Sequence, residues 1–289
     1  MASNIIDPYD YSFVVSRLRS FFVNRGFIEV HTQSRLSILA ACEDPRTIAT
    51  YNYGGQLWPL PQTGQMWLEH ELLNNPDAPG FFCISTSFRN EPNPVPGRHD
   101  LIFPMFEFET RGGMDDLRAL EEDLLVYLGF GPKASYVHQT YKETADEFGV
   151  KEITGDIETR IGQTHGPVFF LESFPLYTSP FWNMRKNGDV ANKIDVILHG
   201  IETIGSAERS SDPEEMRTLF YSISDGMYAD ILFAQFGRER VKRELEDFLS
   251  LNFFPRFGGG IGLTRMMRAM KLSGLIPDHA TQNMAIAAE

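Results

Sequence analysis

The chain of 289 residues has only two cysteines, Cys42 and Cys83. That is too few for a disulfide framework, and without a Cys-x-x-Cys pair it removes zinc-ribbon and dithiol chemistry; a reducing cytoplasm fits best. Basic residues are also scarce. The 26 Lys and Arg stand against 39 Asp and Glu, a net charge of −13, so there is no general cationic surface for a phosphate backbone. No run of about 18 apolar residues occurs, and the opening MASNIIDPYDYS has neither a basic n-region nor an apolar h-region. These absences argue against secretion and against a membrane span. Internal repeats, low-complexity tracts and Ser/Gly-rich linkers are missing as well, so residues 1–289 read as one domain.

What is present suffices for a large core: 42% of residues are hydrophobic and 12% aromatic, which excludes intrinsic disorder. Between Tyr11 and Asn24, Phe13, Val14, Leu18, Phe21 and Phe22 recur at helical spacing, and Arg25-Gly26 ends the helix before a strand-like Phe27-Ile28-Glu29-Val30. From Gln56 to Thr110 the chain reads as short β-rich runs, Phe81 to Ser85 and Phe103 to Phe108 among them, split by the Pro-rich loop Glu91 to Gly97. Asp115 to Gly129 is an amphipathic helix with an acidic first turn. Residues 166–209 read as strands and Arg238 to Leu251 as a charged helix, with another helix starting near Leu263. Helices around a β-rich middle predict an α+β fold.

Two segments carry potential chemistry. In the first, Phe88-Arg89-Asn90-Glu91 is followed by Arg98-His99 and by Phe103 to Glu109. A hairpin of this kind can set Arg89 on one phosphate, Arg98 and His99 on others, and the face of Phe103 against a purine. It is equally readable as a Pro-rich surface hairpin with ordinary charges. In the second, Phe257-Gly258-Gly259-Gly260-Ile261-Gly262-Leu263-Thr264-Arg265, the missing side chains permit close approach of a ligand, and Arg265 can stack on a base or reach a phosphate. Alone, it reads as a packing or turn feature.

Together these segments resemble motifs 2 and 3 of the class II aminoacyl-tRNA synthetases, in the aspartyl and asparaginyl subclass and nearest to asparaginyl-tRNA synthetase. The resemblance runs from about Tyr11 to Leu275. Arg25 to Thr32 resembles motif 1, the family's dimer interface, which implies a homodimer. Glu43 resembles the loop carboxylate that holds the substrate ammonium, with Glu107 as a second partner. Thr63 to Glu69, including Gln65 and Glu69, resembles the asparaginyl segment that reads a side-chain amide. Asp195, Glu202 and Arg209 recur at seven-residue intervals. On spacing alone they read as a solvated charged face; the resemblance makes Asp195 and Glu202 ligands of Mg²⁺ on ATP and Arg209 the reader of the substrate side chain.

The matches come with departures. Gln33 stands where motif 1 has Pro, Ile102 where Glu precedes the stacking Phe, and Thr264 where Glu precedes the motif 3 Arg; the closing Phe-Pro-Arg is absent. An OB-fold of about 100 residues that reads the anticodon in the family has no counterpart before the motif 1 helix. His138, His165 and His199 are expected to be structural. The resemblance implies an ATP- and Mg²⁺-dependent, AMP-forming ligase that activates asparagine or a close analogue. In it, Arg89 and Arg265 act on the phosphates, Glu91, Arg98, His99 and Phe103 complete the ATP site, and the acceptor is not tRNA. An AMP-forming asparagine synthetase and a non-catalytic binding subunit stay open as alternatives.

Overall fold

The computed structural model describes residues 5–33, Ile38 and residues 45–278, so Cys42 and Glu43 lie outside the described residues. The first helix, α1 (Pro8–Val23), begins where Asp7 accepts from the amides of Tyr9 and Asp10 and Pro8 occupies the first turn. There a missing N–H costs nothing. Its apolar side, Phe13, Val14, Leu18, Phe21 and Phe22, is buried as the spacing predicts. After Gly26, at φ 82°, the chain enters the short strand β1 (Ile28–Glu29).

The two runs flanking the Pro-rich loop are strands β4 (Gly80–Phe88) and β5 (Ile102–Arg111), paired antiparallel from Gly80↔Thr110 to Phe88↔Ile102. The predicted strand region holds β7 (Val168–Pro175), β9 (Val190–Leu198) and β10 (Ile201–Arg209), with a two-residue β8 (Lys186–Asn187) on the edge of β9. The glycine segment is β11 (Arg256–Gly262). With β6 (Val137–Thr140) the main sheet runs β1-β4-β5-β11-β10-β9-β7-β6. Its two end pairs, β1/β4 and β6/β7, are parallel and its middle is antiparallel. A separate hairpin joins β2 (Thr50–Tyr53) to β3 (Gln56–Pro59). The α+β expectation holds.

Side-chain alternation assigns the two faces of the sheet. On β5, Phe106 and Phe108 join Phe22 and Phe82 in a ring cluster under α1, α3 (Met114–Leu128) and α9 (Leu263–Leu272). Glu107 and Glu109 then project from the opposite face. That face is covered at one end by α2 (Gln65–Asn74), whose Leu68 and Leu72 pack on Phe81 and Cys83. At the other end it is covered by α6 (Pro213–Ser222), α7 (Met227–Phe236) and α8 (Arg238–Leu249), packed around Trp182. Two further helices, α4 (Tyr141–Phe148) and α5 (Gly155–His165), flank β6, β7 and β9. The stretch from Gln56 to Thr110 is therefore not uniformly β-rich: residues 65–74 are helical, and burial of Met66, Trp67, Leu68, Leu72 and Leu73 decides it.

On α3, Glu121 is fully buried. Burial pushes its pKa up to about 8, with Asp195 and Glu172 adding to the shift and Ser206 and Arg118 opposing it. A raised carboxyl pKa means the folded state holds a proton that the unfolded state releases. This contribution to stability is whole below the unfolded pKa and is lost as pH rises through about 8. Glu121→Gln, which keeps the neutral shape, should therefore gain on the parent as pH rises from 6 to 9, by about 3 kcal/mol at the upper end. Urea denaturation at the two pH values measures this; an unchanged difference would show that Glu121 is ionised in the fold.

Candidate active site

The Gly-rich strand forms the floor of the site. Glu107 faces Gly260 across β5/β11, Gly260 faces Gly205 across β11/β10, and Gly205 faces Asp195 across β10/β9. Two glycines at the centre of this row leave the sheet surface open to a ligand. A β-bulge between Glu202 and Ile204 breaks the alternation along β10 and turns Glu202 over Gly205. A Cβ on Gly205 would meet Glu202 Oε1 at 3.0 Å and Asp195 Oδ1 at 3.6 Å. The two carboxylates converge over one vacant side-chain position.

Two adjoining cavities open above this floor, and both are bordered by Arg89, Glu91, Met105, Glu202, Gly205 and Gly260. The smaller, about 200 Å³, is lined by all six residues the sequence suggests for ATP: Arg89, Glu91, Arg98, His99, Phe103 and Arg265. Arg89 is held at the end of β4 by a backbone bond from its N–H to Leu101 O (2.8 Å), with its guanidinium 5.5 Å from the Phe103 ring. His99 Nδ1 lies 2.8 Å from Glu91 Oε2. Arg265 donates to Glu202 O (2.7 Å) and Arg98 O (3.2 Å). Arg98 is engaged from above by α5, donating to Glu158 Oε2 at 2.6 Å, a contact that nothing in the sequence signalled. Burial and the nearby Glu202 raise the pKa of Glu158.

The larger cavity, about 450 Å³, is lined by Gln65, Glu69, Glu107, Glu202 and Arg209 among others. Glu107 is fully buried and accepts from Thr63 Oγ1, from Gly64 N (2.7 Å) and from Ser85 Oγ (2.6 Å). No cation pairs with it among the described residues. Burial, and then the charge of Glu107, push the Cys83 thiol well up, so Cys83 is an un-ionised wall and not a nucleophile.

Arg209 and Glu69 meet in this cavity, but in a wider network than their spacing suggests. Arg209 donates to both oxygens of Glu109 (3.2 Å each) and lies 3.6 Å from Glu69 Oε1. Arg256, fully buried, donates to Glu69 Oε2 from Nε (3.1 Å) and Nη2 (2.7 Å). Burial, with the Glu69 charge adding, raises the Glu109 pKa against the pull of Arg209. Gly258 makes the network possible: a Cβ there would fall 1.8 Å from Glu109 Oε2. The signal for Glu109 and Arg256 was present in the two-residue spacing from Glu107 and Gly258, which puts each pair on one face of its strand. Lys193, which lines the cavity and lies 3.2 Å from Asp195 Oδ2, and Asn183, on the irregular segment before β8, gave no comparable signal.

Among the described residues no group of three or more His, Cys, Asp or Glu is placed to hold a metal. The Asp195/Glu202 pair over Gly205 still suits a hard cation that keeps most of its water and takes few protein ligands, as Mg²⁺ does. No helix of the described residues is long and apolar enough to cross a membrane.

Comparison with known proteins gives the same picture. The family model "tRNA synthetases class II (D, K and N)" matches residues 10–278. The chain is 25% identical over 237 residues to the aspartate–tRNA(Asp/Asn) ligase of Methanopyrus kandleri, covering 68% of this chain and 51% of that protein. It is 31% identical over 127 residues to the aspartate–tRNA(Asp) ligase of Pyrobaculum aerophilum, covering 41% and 25%. The chain thus spans about half the length of these curated relatives, or less. Its fold is that of asparaginyl-tRNA synthetase from Pyrococcus horikoshii complexed with asparaginyl-adenylate, at TM-score 0.72 and 18% identity over 90% of this chain and 64% of that one. It is also that of the aspartyl-tRNA synthetase from Entamoeba histolytica, at TM-score 0.67 and 18% identity over 90% and 54%. With the family model spanning nearly all of the sequence, and with both nucleotide motifs lining one cavity, the chain belongs to the class II tRNA synthetases of the D, K and N group.

Proposed function

We propose that the protein joins an amino acid, asparagine or a close analogue, to AMP, releasing pyrophosphate, and passes the acyl group to an acceptor other than tRNA. The observation that carries this reading is Glu107, a buried carboxylate with which no cation pairs among the described residues, set beside the six residues suited to ATP. The substrate ammonium supplies the missing charge. Its carboxylate then lies toward the wall shared by the two cavities, where Arg89 meets the α-phosphate. One carboxylate oxygen attacks the α-phosphorus in line, a P–O bond forms, and pyrophosphate departs with the electron pair of the bond that breaks. No side-chain nucleophile is needed; the chain contributes position and fixed charge. Arg98, His99 and Arg265 hold the outer phosphates, and Phe103 lies against the adenine. Asp195 and Glu202 would hold Mg²⁺, which when bound offsets phosphate charge. The acyl-adenylate is then open to an amine or hydroxyl acceptor.

Preference for an amide over a carboxylate follows from charge. Leu68, buried on α2, stands where aspartyl enzymes carry a Lys, so the pocket has one cation fewer to offer a carboxylate, and Arg256 and Arg209 are already engaged by Glu69 and Glu109. A substrate carboxylate entering it brings an uncompensated charge into a desolvated pocket, which is unfavourable. An amide brings none. Two copies of the chain are proposed to pair along β1, the outermost strand of the sheet, where Ile28 is half exposed.

Pyrophosphate exchange should show a higher kcat/KM for asparagine than for aspartate at neutral pH, and the purified protein should charge bulk tRNA weakly, since its net charge of −13 offers no general phosphate contacts. A preference for aspartate with ammonia-dependent release of asparagine would instead establish an asparagine synthetase. Efficient charging of tRNA(Asn) or tRNA(Asp) would overturn the choice of acceptor.

A further inference from the structure

Glu69, placed by the sequence to read a side-chain amide, is fully buried and committed elsewhere. Two N–H groups of Arg256 fill Oε2, and Asn183 Nδ2 donates to Oε1.

Asn183 is the incomplete member of this network. It is 1% exposed, lines the large cavity, and its Oδ1 accepts no hydrogen bond from the described residues. The orientation of its amide is fixed by chemistry. Exchanging nitrogen for oxygen would set Oδ1 against the Glu69 carboxylate, acceptor against acceptor, whereas Nδ2 in that place makes a charge-assisted bond. Glu69 is in turn held in place by Arg256, which is further anchored to Ser210 O at 3.0 Å. The order Arg256, Glu69, Asn183 therefore ends in a buried acceptor, carried by a residue of the cavity lining, that has no donor among the described residues and is unfavourable until one arrives.

We propose that Asn183 is the specificity residue for the substrate side chain, its Oδ1 accepting an N–H from a primary amide, while Glu69 and Arg256 are positioning residues that hold that acceptor toward the substrate. The assignment rests on reading the site as one that activates an asparagine-like amino acid. A carboxylate has acceptors only and meets Oδ1 lone pair to lone pair; a primary amide completes the network.

Pyrophosphate exchange by Asn183→Ala and Asn183→Leu, with asparagine and with aspartate, tests this. The ratio of kcat/KM for asparagine to that for aspartate should fall about 10- to 100-fold in both variants, chiefly through the KM for asparagine. The thermal shift produced by a non-hydrolysable ATP analogue should persist, showing that the nucleotide half is intact. An unchanged ratio, with both substrates losing equally or neither losing, overturns the assignment to Asn183 and leaves the functional reading standing. Exchange by the parent protein with neither amino acid fails the functional reading itself, and the assignment falls with it.

Discussion

Arg89→Ala should lower amino-acid-dependent pyrophosphate exchange about 100- to 1,000-fold, the loss of about 2.7–4 kcal/mol seen when one fixed donor to a developing oxyanion is removed. The position of the residue makes the case. Arg89 closes β4, is tied by its backbone to Leu101 as the chain returns toward β5, and lines both cavities. It is the cation on the wall common to the two cavities, where the proposed reaction builds negative charge in its transition state. The drop should appear in kcat more than in KM, because the contact strengthens as charge develops. Single-turnover measurement of adenylate formation separates the two; full activity in the variant would remove Arg89 from the reacting phosphate.

Glu107→Gln should have an effect of similar size and a different signature. The carboxylate is fully buried, with Thr63, Gly64 and Ser85 all donating to it. Substitution removes the charge proposed to attract the substrate ammonium, and it turns an NH₂ group toward donors that need an acceptor. Removing one partner of a buried, hydrogen-bonded charge pair costs about 2–5 kcal/mol, so kcat/KM should fall by roughly 30- to 5,000-fold, mostly through KM. A desamino analogue of the substrate supplies the control. It should bind the parent poorly and lose little further affinity in the variant, because the lost contact is one it never made. If amino acid and analogue weaken together, Glu107 holds the pocket's shape and does not bind the ammonium.

The two nucleotide segments were legible because each is local. Arg89 and Glu91 lie in one turn, Phe103 to Glu109 in one strand, and alternation along that strand already puts Glu107 and Glu109 on the same face. The sheet order was not legible from spacing. Bringing Asp195 into one row with Glu107 depends on β11 and β10 lying between β9 and β5, a set of long-range pairings that periodicity does not encode. The helix at residues 65–74 was hidden for a related reason. Its N-cap is Gly64, without a side-chain bond, and its apolar residues follow a packing surface, β4, supplied by another part of the chain. Glu202 shows the limit of the seven-residue spacing: a bulge, not the interval, turns it toward Asp195. For Glu69 and Arg209 the sequence supplied the residues but not the pairing of Arg209 with Glu109 and of Glu69 with Arg256. Ion pairs between strands that are remote in sequence become visible only when the register is known.

The central claim is that the two adjoining cavities form a single site in which an amino acid and ATP react. Exchange of labelled pyrophosphate into ATP by the purified full chain tests it most directly, with and without Mg²⁺ and with asparagine, aspartate or no amino acid. The account predicts exchange that requires both Mg²⁺ and an amino acid and is fastest with asparagine. Exchange with no amino acid tested, while an ATP analogue still shifts the melting temperature, would contradict it and leave a nucleotide-binding protein that does not turn over.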